Sequence, residues 1–161
     1  MKFNEMGLPE DEAYGVKVAA LVHDIGNLNV PAEILSKTAA LSEIEFSIVQ
    51  EHSQAGHEML KDITFPWAIA DMVWQHHERL DGTGYPRGLQ GDEILLGAQI
   101  VGVADVVEAM ASERPYRNEF SMGPALDEIR RGRALAFHPA VVDACMDLCR
   151  SNRFVFPQTV H

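Results

Sequence analysis

Residues 100–110, "IVGVADVVEAM", constrain this chain more than any other stretch: the run is almost uniformly apolar, yet Asp105 sits at its middle. A helix that is apolar nearly all round is a buried helix. Its carboxylate is buried with it, and that is strongly unfavourable unless the group is paired or coordinates a cation. The same tension recurs elsewhere. Asp24 directly follows the apolar "VAALVH", and His52 falls within a stripe of Leu41, Ile44, Ile48 and Met59. His76 and His77 end an amphipathic segment whose inner face carries Ile69, Met72 and Val73. Each residue alone has an ordinary explanation: a hydrogen-bonded core histidine, a helix cap, an aspartate paired with an arginine. Together they leave few cationic partners among themselves, and a divalent metal centre satisfies them all. Imidazole and carboxylate without thiolate suit Fe, Mn, Ni or Zn in hydrolytic use.

The patterning is helical almost throughout, and it predicts an all-α bundle. Helices are expected over residues 10–23, 42–60, 66–79, 97–112, 121–131 and 139–151. Ser42 and Glu45 have capping-box spacing at the start of the second. His57, rotated about 140° from His52 at the helical period, is expected to face solvent. A length of 161 residues fits one domain, read as residues 1–156 with a tail at 157–161. No apolar run is long enough for a membrane span and no secretory signal is visible, so a cytoplasmic location is expected. Cys145 and Cys149, four apart on one helix, read as thiols, since neither a disulfide nor a thiolate metal site fits that placement. A formal net charge of −11 argues against nucleic-acid polymers as partners. It leaves room for a small phosphorylated ligand, because bound cations present a positive face inside an acidic protein.

The ionisable residues fall in a familiar order. His23-Asp24, a histidine on the next long helix, His76-His77 and Ala104-Asp105 resemble the HD metal-dependent phosphohydrolase superfamily. "HHERLDGTGYPRGLQGDEI", with Gly84-Tyr85-Pro86, is similar to the defining segment of its HD-GYP subfamily. "HDIGN", "VPAEIL", "EHSQAGHEML", "VGVADVVEAMASERPYR" and "ALAFHPAVV" match the remaining blocks in order, so the resemblance spans about residues 8–150. It implies an HD-type helical bundle that hydrolyses cyclic di-GMP to linear pGpG or GMP. It also implies two or three divalent transition-metal ions, Fe or Mn first and Ni or Zn after them. By position the metal ligands would be His23, Asp24, His52, His76, His77 and Asp105, with Asp24 spanning two ions. The loop residues Gly84, Tyr85 and Pro86 would line the substrate, and Arg114 and Arg117 would approach its phosphates or bases. Partners implied are a cyclic dinucleotide and an upstream sensory or receiver domain; a bundle short of a helix would expose apolar surface that favours a second copy of the chain, and the Tyr85 loop could instead contact a diguanylate cyclase.

Two departures from that pattern bear on activity. Asn27 stands where the family carries a lysine, which keeps hydrogen bonding and loses a point charge near the reacting phosphate. Asp24 and Asn27 are therefore the two positions that matter most to the catalytic step. No histidine precedes His23, whereas the superfamily has one on an earlier helix, so the bundle is expected to lack the N-terminal helix or helices of the full domain. The alternative to an active phosphodiesterase is a degenerate module that binds metal, cyclic dinucleotide or a protein without turnover.

Overall fold

A computed structural model describes residues 6–112 and 122–151. Arg114, Arg117 and the tail at 157–161 lie outside the described residues. Within them every regular element is helical, apart from two isolated bridges, Asp81 to Gln90 and Arg133 to Phe137. The helices are α1 (Glu10–Val22), α2 (Ala32–Leu35), α3 (Glu43–Leu60), α4 (Ile69–Gln75), α5 (Leu96–Ser112), α6 (Gly123–Arg131) and α7 (Pro139–Arg150). Short 3₁₀ turns occupy Ile25–Asn29 and Gly91–Glu93. None of the described helices is long and apolar enough to cross a membrane.

Local chemistry accounts for several helix starts. Glu10, Asp11 and Glu12 fill the first turn of α1, where carboxylates complement the helix dipole. Ser42 caps α3 through the expected reciprocal box: the Glu45 N–H donates to its hydroxyl at 3.3 Å, and its own N–H donates to the Glu45 carboxylate at 2.7 Å. Proline opens α7 at Pro139.

The core is built by α5 against its neighbours. Ile100, Val101, Val103 and Val107 of α5 join Val16 and Ala19 of α1, Ile69 and Val73 of α4, Ala125 and Ile129 of α6, and Val141, Val142 and Cys145 of α7. Helices α1 and α4 pack on one side of α5, while α6 and α7 pack on the other. Helix α3 packs on α4 and on the 3₁₀ turn Ile25–Asn29. Gly26 permits that second contact, because a Cβ there would sit 1.8 Å from the His52 carbonyl oxygen.

Three local expectations need correction. Helix α4 is shorter than residues 66–79: Trp67 is drawn against Tyr14 of α1, at a ring separation of 5.4 Å, and the chain tightens after Gln75, where the Glu78 N–H donates to the Gln75 carbonyl. The inward stripe of α3 is not Leu41, Ile44, Ile48 and Met59. Ile44 is 74% exposed, and the buried positions are His52, Ser53, Gly56 and Leu60. Gly26 and Val73 press on the His52–Gly56 stretch, so packing engages the second half of the helix and small residues are needed there. His57 does not simply face solvent. It stacks on Trp74 at 4.2 Å with an interplanar angle of 24°. Cys145 and Cys149 are free thiols, as expected, and burial pushes the Cys145 thiol up to about 12.

Candidate metal centre

His23 and Asp24 stand where α1 stops and the 3₁₀ turn begins, so the end of one helix presents both. His52 points from α3, His76 and His77 come from the tightened turn after α4, and Asp105 comes from α5. The fold brings all six together. His23 Nε2 lies 3.4 Å from Asp24 Oδ2 and 3.6 Å from Asp105 Oδ1. His52 Nε2 lies 3.7 Å from Asp24 Oδ1, 3.4 Å from His76 Nε2 and 3.2 Å from His77 Nε2.

The rings are held in one orientation. The Nδ1–H of His23 donates to the Ala20 carbonyl at 2.9 Å, that of His52 to Val49 at 2.7 Å, and that of His76 to Val73 at 2.6 Å. A carbonyl can only accept, so each of these Nδ1 atoms carries a proton; the neutral rings of His52 and His76 then turn an Nε2 lone pair towards the centre, while His23 Nε2 faces the carboxylates of Asp24 and Asp105. The His52 and His76 lone pairs, facing one another at 3.4 Å, repel unless a cation lies between them. The donor set therefore fits a metal site. Ligand atoms of His52, His76 and His77 lie within 4.8 Å of one another, and so do those of His23, Asp24 and His76. The two groups share His76. Asp24 turns one oxygen to His23 and the other to His52, an arrangement able to bridge two ions.

Burial grades across the centre. The His76 residue is 1% exposed at its floor, whereas the Asp24 side chain is 56% exposed at its mouth. Burial and the neighbouring His23 and His52 push His76 down to about 3, and burial drives His77 downward as well. Contact with Asp105 lifts His23 to about 9. Burial works against the charged form of Asp105, but His23, with His76 and Arg79 behind it, holds the carboxyl low. The Tyr85 ring stacks on His77 at 4.6 Å and 25°, and burial raises its phenol. The Asn27 Oδ1 is buried with no hydrogen-bond partner among the described residues.

Two side chains at this end of α4 were missed in the sequence. Gln75 and Glu78 are 7% and 4% exposed. Gln75 Oε1 accepts the Leu95 N–H at 2.8 Å, and Glu78 accepts two N–H groups of the loop that bears Tyr85. Their partners are backbone groups, so no residue type at a fixed spacing announces them.

Comparison with known proteins gives the family and the fold. Residues 2–141 match the family model described as HD domain. The chain is 39% identical over 144 residues to the cyclic di-GMP phosphodiesterase response regulator RpfG of Xanthomonas campestris, a match covering 88% of this chain and 38% of that protein. It is 40% identical over 126 residues to 3'3'-cGAMP-specific phosphodiesterase 1 of Vibrio cholerae, covering 78% and 29%. It is 39% identical over 146 residues to a cyclic di-GMP phosphodiesterase of Thermotoga maritima, covering 89% and 40%. The chain thus spans well under half the length of these curated relatives. Among solved structures, the fold is shared with Bd1817, an HDG"Y"P protein from Bdellovibrio bacteriovorus, at a TM-score of 0.74 and 17% identity over 91% of this chain and 47% of that one. It is shared too with the cyclic GMP-AMP specific phosphodiesterase V-cGAP3 of Vibrio cholerae, at 0.65 and 21% over 91% and 40%.

Proposed function

The chain belongs to the HD domain family, in its HD-GYP branch, and from that premise we propose that it is a metal-dependent phosphodiesterase opening cyclic di-GMP to linear pGpG or GMP. One observation carries the reading: six imidazole and carboxylate groups from four separate segments of the chain converge, with the Nε2 lone pairs of His52 and His76 turned inward. His23, Asp24, His52, His76, His77 and Asp105 are the proposed ligands of two or three divalent ions. Imidazole and carboxylate without thiolate suit Fe, Mn, Ni or Zn, and the resemblance to the HD-GYP subfamily puts Fe or Mn first. When bound, such ions supply Lewis-acid chemistry, neutralising phosphate charge and acidifying an attacking water.

The chain's own residues supply the rest. Three backbone carbonyls hold the imidazoles of His23, His52 and His76 in place, so no reorganisation is needed as substrate docks. Tyr85, stacked on His77, forms a wall beside the ligands with Gly84 and Pro86, where a purine can lie against its ring. In the reaction a P–O bond forms to water, the P–O3′ bond breaks, and the water's proton goes to the departing 3′ oxygen. Arg114 and Arg117 are assigned to the phosphates or bases by their place in the motif. Control by an upstream sensory or receiver domain, by a second copy or by a diguanylate cyclase belongs to the same reading, as does a cytoplasmic single domain over residues 1–156.

Asn27 favours a second reading, a module that binds without turnover, because its amide supplies no positive charge beside Asp24. Loading the protein with Mn or Fe, counting bound metal and assaying cyclic di-GMP and 3'3'-cGAMP separates the two. Linear product with at least about two metal equivalents supports the enzyme. Bound metal without product across both dinucleotides, rescued by Asn27→Lys, supports the silent module.

A further inference from the structure

Glu78 directly follows the two histidines and is 4% exposed. A buried carboxylate needs partners, and here they are main-chain donors. Oε1 accepts the Arg87 N–H at 2.8 Å, and Oε2 accepts the Leu89 N–H at 2.9 Å. Both bonds reach across the loop that carries Tyr85. The loop lies directly on the turn beneath it: a Cβ at Gly84 would come within 2.4 Å of the Glu78 Cα and the Arg79 nitrogen. The Tyr85 N–H donates to the His77 carbonyl at 3.3 Å, and the Arg87 guanidinium covers Trp74 of α4 at 4.6 Å. The three residues from His76 to Glu78 thus present two proposed ligands and the carboxylate that holds the opposite wall.

We infer that Glu78 is a positioning residue: through the amides of Arg87 and Leu89 it holds the Tyr85 ring on the His77 imidazole, and so sets the substrate wall against the ligand pair. Charge-assisted bonds to two amides are strong, and removing the carboxylate leaves both donors stranded. The loop does not detach when they are lost, because Leu89 is also buried with Ile94 and Ala98. Glu78 therefore acts on the angle and distance of the Tyr85 wall and not on whether the domain folds. The consequence for substrate rests on the phosphodiesterase reading. The clamp itself does not.

Hydrogen exchange, metal content and kinetics of Glu78→Ala and Glu78→Gln in the metal-loaded protein test this together. Exchange at the Arg87 and Leu89 amides is expected to rise about tenfold or more in the alanine variant, with α5 amides and bound metal unchanged. KM for cyclic di-GMP is expected to rise about tenfold while kcat stays within about threefold. Glutamine keeps one acceptor oxygen and gives an intermediate shift in both readouts. In a Tyr85→Ala background, Glu78→Ala is expected to change KM by less than about twofold, since the lever has lost its load. Unchanged exchange at Arg87 and Leu89, loss of metal, or KM effects that simply multiply in the double variant would each overturn the assignment. Should the unsubstituted protein turn over no cyclic dinucleotide, the phosphodiesterase reading falls, and exchange with metal content still decides the clamp.

Discussion

Helix α5 has two different neighbourhoods. On the side of α6 and α7 the buried residues include Ala125, Ile129, Val141, Val142, Cys145 and Leu148, and the charged residues stay outside in pairs such as Asp127–Arg130 and Arg133–Asp143. On the side of α1, α3 and α4 the buried residues include His52, Ser53, Gln75, His76 and Glu78. Both layers are helical and both bury the side chains named. The difference lies in what burial achieves: apolar groups lower the free energy of folding simply by leaving water, whereas imidazoles and carboxylates raise it unless each finds a partner. A fold that gathers so many such groups in one place gives up stability there for chemistry.

Substitution should separate the two layers. His52→Ala is expected to remove bound metal and lower turnover on the order of 10³-fold, comparable with losing a stabilising group at a transition state. Elemental analysis and product formation measure it, and retention of both would break the contrast at its strongest point. Ile129→Ala, in the dry layer, should do the reverse. It is expected to cost about 2–5 kcal/mol in urea unfolding, while kcat/KM of the folded fraction stays within about threefold of the unsubstituted protein.

How readily each layer could be read in the sequence follows the same division. A polar residue in an apolar run is visible without coordinates, so Asp105 within "IVGVADVVEAM" and His76-His77 at the end of α4 could be found, and the all-helical class with them. The 3₁₀ turn at Ile25–Asn29 and the four-residue α2 could not, because such short pieces are decided by tertiary contact, here the approach of Gly26 to His52. Period alone placed Ile44 inside and His57 outside. It carries no information on which half of α3 is covered, or that Trp74 would lie over the His57 ring. Glu78 stayed hidden because its partners are amides, which every residue but proline has.

Acidity should distinguish the layers more gently. In metal-free protein His76 titrates near 3 when folded against 6.5 when unfolded. The unfolded chain then binds more protons below 6.5, and stability falls as pH drops towards 3. At pH 5 His76 alone accounts for about 2 kcal/mol. His23, raised to about 9, works the other way: its contribution is full below 6.5 and is lost as pH climbs through about 9. From these two groups the metal-free protein should be most stable near pH 6.5, which urea midpoints at pH 5, 6.5 and 9 would show. Ile129→Ala should lower that curve evenly, since no titrating group is removed.

The smallest expected effect concerns whether the layers open together. Helix α7 packs on α5 and α6, with no comparable contact to α1, α3 or α4 among the described residues, so it can open while the metal centre stays closed. Cys145 on α7 reports that opening: with its thiol held up to about 12 and its side chain buried, alkylation requires exposure first. If α7 opens alone, saturating the centre with Mn should change the Cys145 labelling rate by less than about threefold. If instead the molecule opens only as a whole, metal at about a hundred times its dissociation constant adds about 2.7 kcal/mol and slows labelling about a hundredfold. The separate course follows from α5 being the element through which both layers are joined: a ligand bound on one face stabilises that face, and reaches the other only to the extent that α5 itself must unfold for α7 to leave.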